Sequence, residues 1–224
     1  MGAMTMPPTS KGGATGTSTG FLDWLAEGRA ALRKGERTRN DLVVSCARLL
    51  ADAPFEQLTV STLCKAAGVA HGTFYIYFAN LNAVSAEVLG QFVDHVQLEM
   101  RAATRRGGDP TRNATGAYMR LFEENAGLMK CLVTGMDAFP EARAAFQRLN
   151  HEWARTVVRA ARRGGGDARS EAEMMRRAYA LGGMVDQYLS ALFVTGDPWV
   201  RALSEDREEV LDLFTDLWKR GMAP

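Results

Sequence analysis

Thr59 to Phe78, TVSTLCKAAGVAHGTFYIYF, constrains this chain more than any other stretch. Val60, Leu63, Cys64 and Ala67 recur at helical spacing. Thr59 stands where an N-cap hydroxyl belongs. Gly68 follows where a helix needs a left-handed terminator. A second short helix then starts near Ala70 or His71 and runs to Tyr77, with Phe74 and Phe78 four residues apart on its inner face. Two short helices joined by a glycine turn, the second rich in hydroxyl and aromatic side chains, predict a helix-turn-helix that reads DNA. An α-helix fits the major groove, and its first turns reach base edges.

The contact residues follow from that geometry. Thr59 and Ser61 lie at the start of the first helix, where amides and hydroxyls bond phosphate. Gly72 lets the backbone approach the duplex. Thr73, Tyr75 and Tyr77 offer hydroxyls, Ile76 an apolar contact for a thymine methyl, and His71 a ring for a base edge or phosphate. Leu63, Val69, Phe74 and Phe78 are assigned to packing.

The flanks are helical. Residues 1–20 are Met, Pro, Thr, Ser and Gly with one charge, Lys11, and cannot bury enough apolar surface to order themselves. Phe21 to Leu25 could open a short amphipathic helix. Arg29, Arg33, Lys34, Arg37 and Arg39 against Glu36 make the next segment basic. It is either a solvated linker or an arm on phosphates or the minor groove. Residues 37–53 form a helix stopped by Pro54. Asn80 caps a long helix from Leu81 to about Arg105, seamed by Val84, Val88, Phe92, Val96 and Met100. Asp109-Pro110 and Pro140 open further helices. Ser170 to Glu173 reads as a capping box for a helix to about Val194 that is apolar almost all round. Gly196 to Pro198 breaks the chain before a last helix over residues 204–220. No strand alternation and no repeat appear, so the fold class is all-α.

With a net charge of +1, any nucleic-acid site must be local. No run of about 18 apolar residues predicts a membrane span, and no secretory signal opens the chain. Cys46, Cys64 and Cys131 lack disulfide or zinc spacing and are expected as reduced thiols in a cytoplasmic protein. His95 and His151 are expected to be satisfied structural histidines. Catalytic motifs, metal sites and cofactor loops are not recognisable, so no enzyme and no cofactor is expected.

Leu63, Ala67-Gly68-Val69, Gly72-Thr73-Phe74-Tyr75 and Tyr77-Phe78 resemble the DNA-binding domain of the tetracycline-repressor (TetR) family of bacterial regulators. The likeness covers about residues 37–96. It implies an N-terminal extension over 1–36, a DNA-binding domain over 37–96, and a ligand-binding and dimerisation domain over 97–224. Arg37 and Ala70 join the implied DNA contacts. Ala70 stands where the family commonly has serine, and Leu81 stands where a phosphate-binding lysine is common. The resemblance further implies a homodimer through helices 170–194 and 204–220, a palindromic operator in double-stranded DNA, and a small hydrophobic effector that releases it. Gly182-Gly183 would let helices approach closely. Large side chains nominated for the cavity are Phe92, Phe122, Met129, Met136, Phe146, Trp153, Tyr179, Met184 and Tyr188, together with Met100, Tyr118 and Phe139. Asp186 and Gln187 interrupt an apolar helix, either to orient a ligand or to bond across the dimer. The expected function is a repressor. The alternatives are an activator or ligand-independent regulator of the same fold, or a ligand-binding module that no longer reads DNA.

Overall fold

The computed structural model describes residues 20–27, 29–134, 140–163 and 168–223. Among these residues there are eleven α-helices and no strand. The first four are α1 (Phe21–Ala26), α2 (Lys34–Asp52), α3 (Val60–Ala67) and α4 (His71–Tyr77). The long α5 (Leu81–Ala103) follows, then α6 (Pro110–Glu124), α7 (Ala126–Thr134) and α8 (Pro140–Arg163). The chain closes with α9 (Glu171–Leu189), α10 (Pro198–Ala202) and α11 (Arg207–Met222).

Capping chemistry sets most boundaries. Asp109 and Asp197 each accept from two first-turn amides ahead of a proline, and Asn80 Oδ1 accepts from the Ala83 amide. Ser170 Oγ accepts from the Glu173 amide, but the Glu173 carboxylate turns to Arg177, so only half of the expected capping box forms. The last helix begins at Arg207 rather than Ser204, because Asp206 is its cap. Beyond Leu189 the chain widens into a π-helical segment, Ser190–Thr195, which Gly196 ends at φ 66°.

Helix α5 organises the rest. Its first half packs on α2, and Cys46 Sγ lies 3.7 Å from Ser85 Oγ between them. Its second half packs on α6 and α8, where Gln97 Nε2 donates to the Leu149 carbonyl (3.0 Å) and Arg148 bridges to Asp94 (2.6 Å) and the Gly90 carbonyl (2.7 Å). A second junction lies at α7, which packs on α2. A Cβ on Gly127 would overlap the Ala51 carbonyl outright, so only glycine permits the two backbones to approach this closely.

Helix α1 corrects two expectations. The segment around Phe21 is docked on α5: Phe21 is buried and meets Phe92 edge-on with centroids 5.0 Å apart. Phe92 is therefore core under α1. His95, between Phe21 and Trp24 (5.5 and 5.3 Å), is buried with neither ring nitrogen hydrogen-bonded. It is structural but not satisfied, and burial pulls its pKa down, opposed by Glu99.

Candidate nucleic-acid interface and ligand cavity

The helical head is built by the residues assigned to packing. Leu63 and Phe74 are fully buried and Phe78 nearly so. Thr59 Oγ1 accepts from the Thr62 amide (3.0 Å), and Thr62 Oγ1 accepts from the Thr59 amide (3.1 Å), a reciprocal cap that starts α3. Gly68, at φ 67°, ends it. This fixes α4 with its other face outward. Ile76 is 75% exposed and Tyr75 54%, a large apolar cost in water unless a partner covers it. The His71 and Tyr75 rings lie on the same face, tilted at 59° with centroids 5.5 Å apart. Gly72 is exposed, and a Cβ there would meet nothing within 4 Å. Glycine at this position answers no packing need inside the protein.

The other expected contacts divide. Ser61 and Ala70 are exposed and Thr73 is half-buried beside them. Tyr77 is half-buried, with its hydroxyl beside Gly35 at the start of α2. The Thr59 hydroxyl is exposed but committed to its cap. The basic segment is not free as an arm. Arg29 is held by Asp41 at 2.6 and 2.7 Å. Arg39 forks onto Glu87 and lies 4.9 Å over the Phe78 ring. Arg37 is exposed and ties one nitrogen to the Leu32 carbonyl. Lys34 and Lys65 are exposed and carry no ion pair among the described residues. Leu81 packs against the core and offers no charge to a phosphate.

A cavity of about 440 Å³ lies among α5, α6, α8, α9 and α11. Met100, Tyr118, Leu149, Trp153, Val157 and Trp218 wall it, with Asn150, Asp186, Lys219 and several threonines interspersed. Of the ten side chains nominated from sequence, Trp153 and Asp186 line it; Met100 and Tyr118 join them from the wider set. The others stand elsewhere. Phe122 is buried against Tyr118 and Phe193, and Met129 is buried core. Phe146 is half-buried outside the lining. Tyr188 bonds Ser204 (2.7 Å) and packs on Phe214. Tyr179 is exposed and bonds His151 Nδ1 (2.8 Å), while Met184 is exposed on α9. Met136 and Phe139 lie outside the described residues. Trp218 and Leu149 had no signal of their own, because apolar stripe positions look the same beside a void as in solid core, and Asn150 reads as one more polar residue of an amphipathic helix.

One polar pair crosses the cavity wall. The Tyr118 hydroxyl donates to Asp186 Oδ1 at 2.6 Å. Burial pushes the Asp186 carboxyl up to about 6, against the opposing pull of Tyr118 and Asn150. Asp186 Oδ2 is buried and receives no hydrogen bond of ordinary geometry. Burial also pushes the Cys46 thiol up to about 12 and the Cys131 thiol up to about 11, so neither supplies a thiolate for redox chemistry.

A helix-turn-helix presenting an apolar and aromatic face, joined by one long helix to a hollow helical body, is an architecture that fits a DNA-binding transcriptional regulator. Residues 43–88 match the family described as bacterial regulatory proteins, tetR family. The HTH-type transcriptional regulator EthR of Mycobacterium tuberculosis is 26% identical over 211 residues, spanning 86% of this chain and 94% of that protein. A transcriptional regulator from Rhodococcus sp. Rha1 shares the fold at a TM-score of 0.64 and 23% identity, covering 82% of this chain and 96% of that one. The regulator FadR of Bacillus subtilis, solved in complex with stearoyl-CoA, aligns at a TM-score of 0.60 and 14% identity over 82% and 97% of the two chains. Residues 43–88 thus carry a DNA-binding domain of the TetR type, and the whole chain is similar to transcriptional regulators of that family. Among the described residues no helix is long and apolar enough to cross a membrane.

Proposed function

We propose that this protein is a cytoplasmic repressor that binds a palindromic operator as a homodimer and is released by a small apolar effector. The exposed face of α4 carries the reading: Tyr75 and Ile76 stand in water on a helix whose opposite face is locked into the core. His71, Gly72, Tyr75 and Ile76 face base edges, while Ser61, Ala70, Thr73, Tyr77, Arg37 and Lys65 set the head on the backbone. The head corresponds to residues 37–96 and the effector and dimer domain to 97–224.

The dimer forms through α9 and α11. Tyr179, Met184 and Leu213 are exposed on these helices, and Gly183 is exposed with nothing within 4 Å of an added Cβ, which suits close approach of a second copy, whereas Gly182 borders the cavity. Two-fold symmetry then dictates two half-sites.

The effector acts through α5. This helix begins inside the head at Leu81 and reaches the cavity at Met100. A molecule that parts α6 and α8 moves the far end of a rigid rod whose near end holds the head. The tight Gly127–Ala51 crossing keeps α7 and α2 in step. The stearoyl-CoA bound to the B. subtilis relative supports an apolar ligand for such a cavity. The test is binding of the full chain to duplexes drawn from a random pool, followed by titration with apolar compounds. The expected result is two chains per duplex and release by compounds that fill the cavity. A complex that persists when the cavity is filled overturns the effector reading.

A further inference from the structure

Taking the cavity to be the effector site, we propose that its ligand carries a protonated amine, seated against Asp186, at the end of an apolar body. The cavity walls are mostly carbon, so a polar group on the ligand has few places to go. Most polar groups in the lining are already used. The Thr104, Thr115 and Thr156 hydroxyls each donate to a carbonyl of their own helix, at 2.8, 2.8 and 2.9 Å. Lys219, the one cation in the lining among the described residues, is held by Asp109 at 2.5 Å.

Asp186 has capacity left. Its Oδ1 takes the Tyr118 hydroxyl and the Asn150 side chain also favours its charged form, yet its Oδ2 is buried without a hydrogen bond. A buried carboxylate with one oxygen unpartnered is costly, and the cost falls when a cation or donor completes it. Tyr118 cannot turn round to supply a second bond, because its single proton is already spent on Oδ1. No arginine or lysine of the described residues pairs with Asp186. The raised pKa of this carboxyl records the same unmet demand. An ammonium brings up to three donors and a full charge into low dielectric, where a charge-assisted bond is at its strongest. An acidic ligand would instead meet Asp186 as a like charge, and would have to take Lys219 from Asp109.

The test uses three probes of one chain length: decylamine, decanol and decanoate. They are titrated calorimetrically into the full-length protein at pH 8, below micelle formation. Wild type is expected to bind decylamine at least tenfold tighter than decanol and more tightly still than decanoate. In Asp186→Asn the amine should lose at least tenfold in affinity, while decanol holds. Equal affinity for amine and alcohol, a preference for decanoate, or an unchanged amine affinity in D186N would each overturn the head-group assignment and leave the apolar-effector reading standing. Binding of none of the three overturns both. If D186N does not fold, the three-probe series on wild type decides alone.

Discussion

Asp186→Asn should stabilise the unliganded protein at neutral pH and leave it unchanged in acid. A carboxyl held near 6 rather than at its ordinary 3.8 is disfavoured in its ionised form by about 3 kcal/mol. The sign follows from proton counting. Between these two values the folded state binds the proton that the unfolded chain has already released, so wild type loses stability as pH rises from about 4 to 6 and then levels off. Asparagine keeps an oxygen to accept from Tyr118 and never ionises. The quantity to measure is the difference between variant and wild type in urea melts from pH 4 to 8, at one protein concentration because dimerisation is linked to folding. It should grow from near zero to about 3 kcal/mol, roughly 6–12 °C in melting temperature for a chain of this size. Every other titrating group cancels in that difference. A gap that does not change with pH would refute the placement of Asp186 as a buried carboxyl with an unmet bond.

His95 sets the opposite slope. Its folded pKa is depressed, so the unfolded chain takes up a proton first, and stability falls as pH drops below the ordinary value of 6.5. His95→Phe should flatten that acid limb in the same melts. On α4, Ile76→Ala should leave stability within about 0.5 kcal/mol while costing about 1–3 kcal/mol of specific DNA affinity. Phe74→Ala on the opposite face should cost about 3–5 kcal/mol of stability; a large melting loss in Ile76→Ala would show that this face is packed. Gly127→Ala should destabilise by about 1–3 kcal/mol through overpacking against Ala51. It should also alter operator affinity, since the α2–α7 crossing must open; anisotropy on an operator duplex checks the second effect.

The head was legible because its determinants are local. A cap at Thr59, a left-handed glycine at 68 and aromatics at 74 and 78 fix two helices and their faces within twenty residues. The cavity was not, because it is a void left where five helices fail to meet, and stripe spacing tells an inward position without telling what lies opposite. Phe92 illustrates this: its helical position is as expected, but its neighbour is Phe21, from a short N-terminal helix whose docking place its own spacing does not reveal. The basic segment misleads for a similar reason. Arg29 and Arg39 find their carboxylates 12 and 48 residues away, distances at which a charge pattern says nothing. Asp186 was visible as a polar interruption of an apolar helix, yet its partner Tyr118 looked like one more core aromatic.

Selection of full-length protein on random duplexes at moderate salt tests the central claim most directly. The recovered sequences should share a palindrome whose half-sites are read by α4, with the preferred bases changing in Ile76→Ala or His71→Ala and overall affinity falling uniformly in Tyr77→Ala. Recovery of no common motif, or of one unaffected by these changes, would contradict the assignment of α4 as a sequence reader.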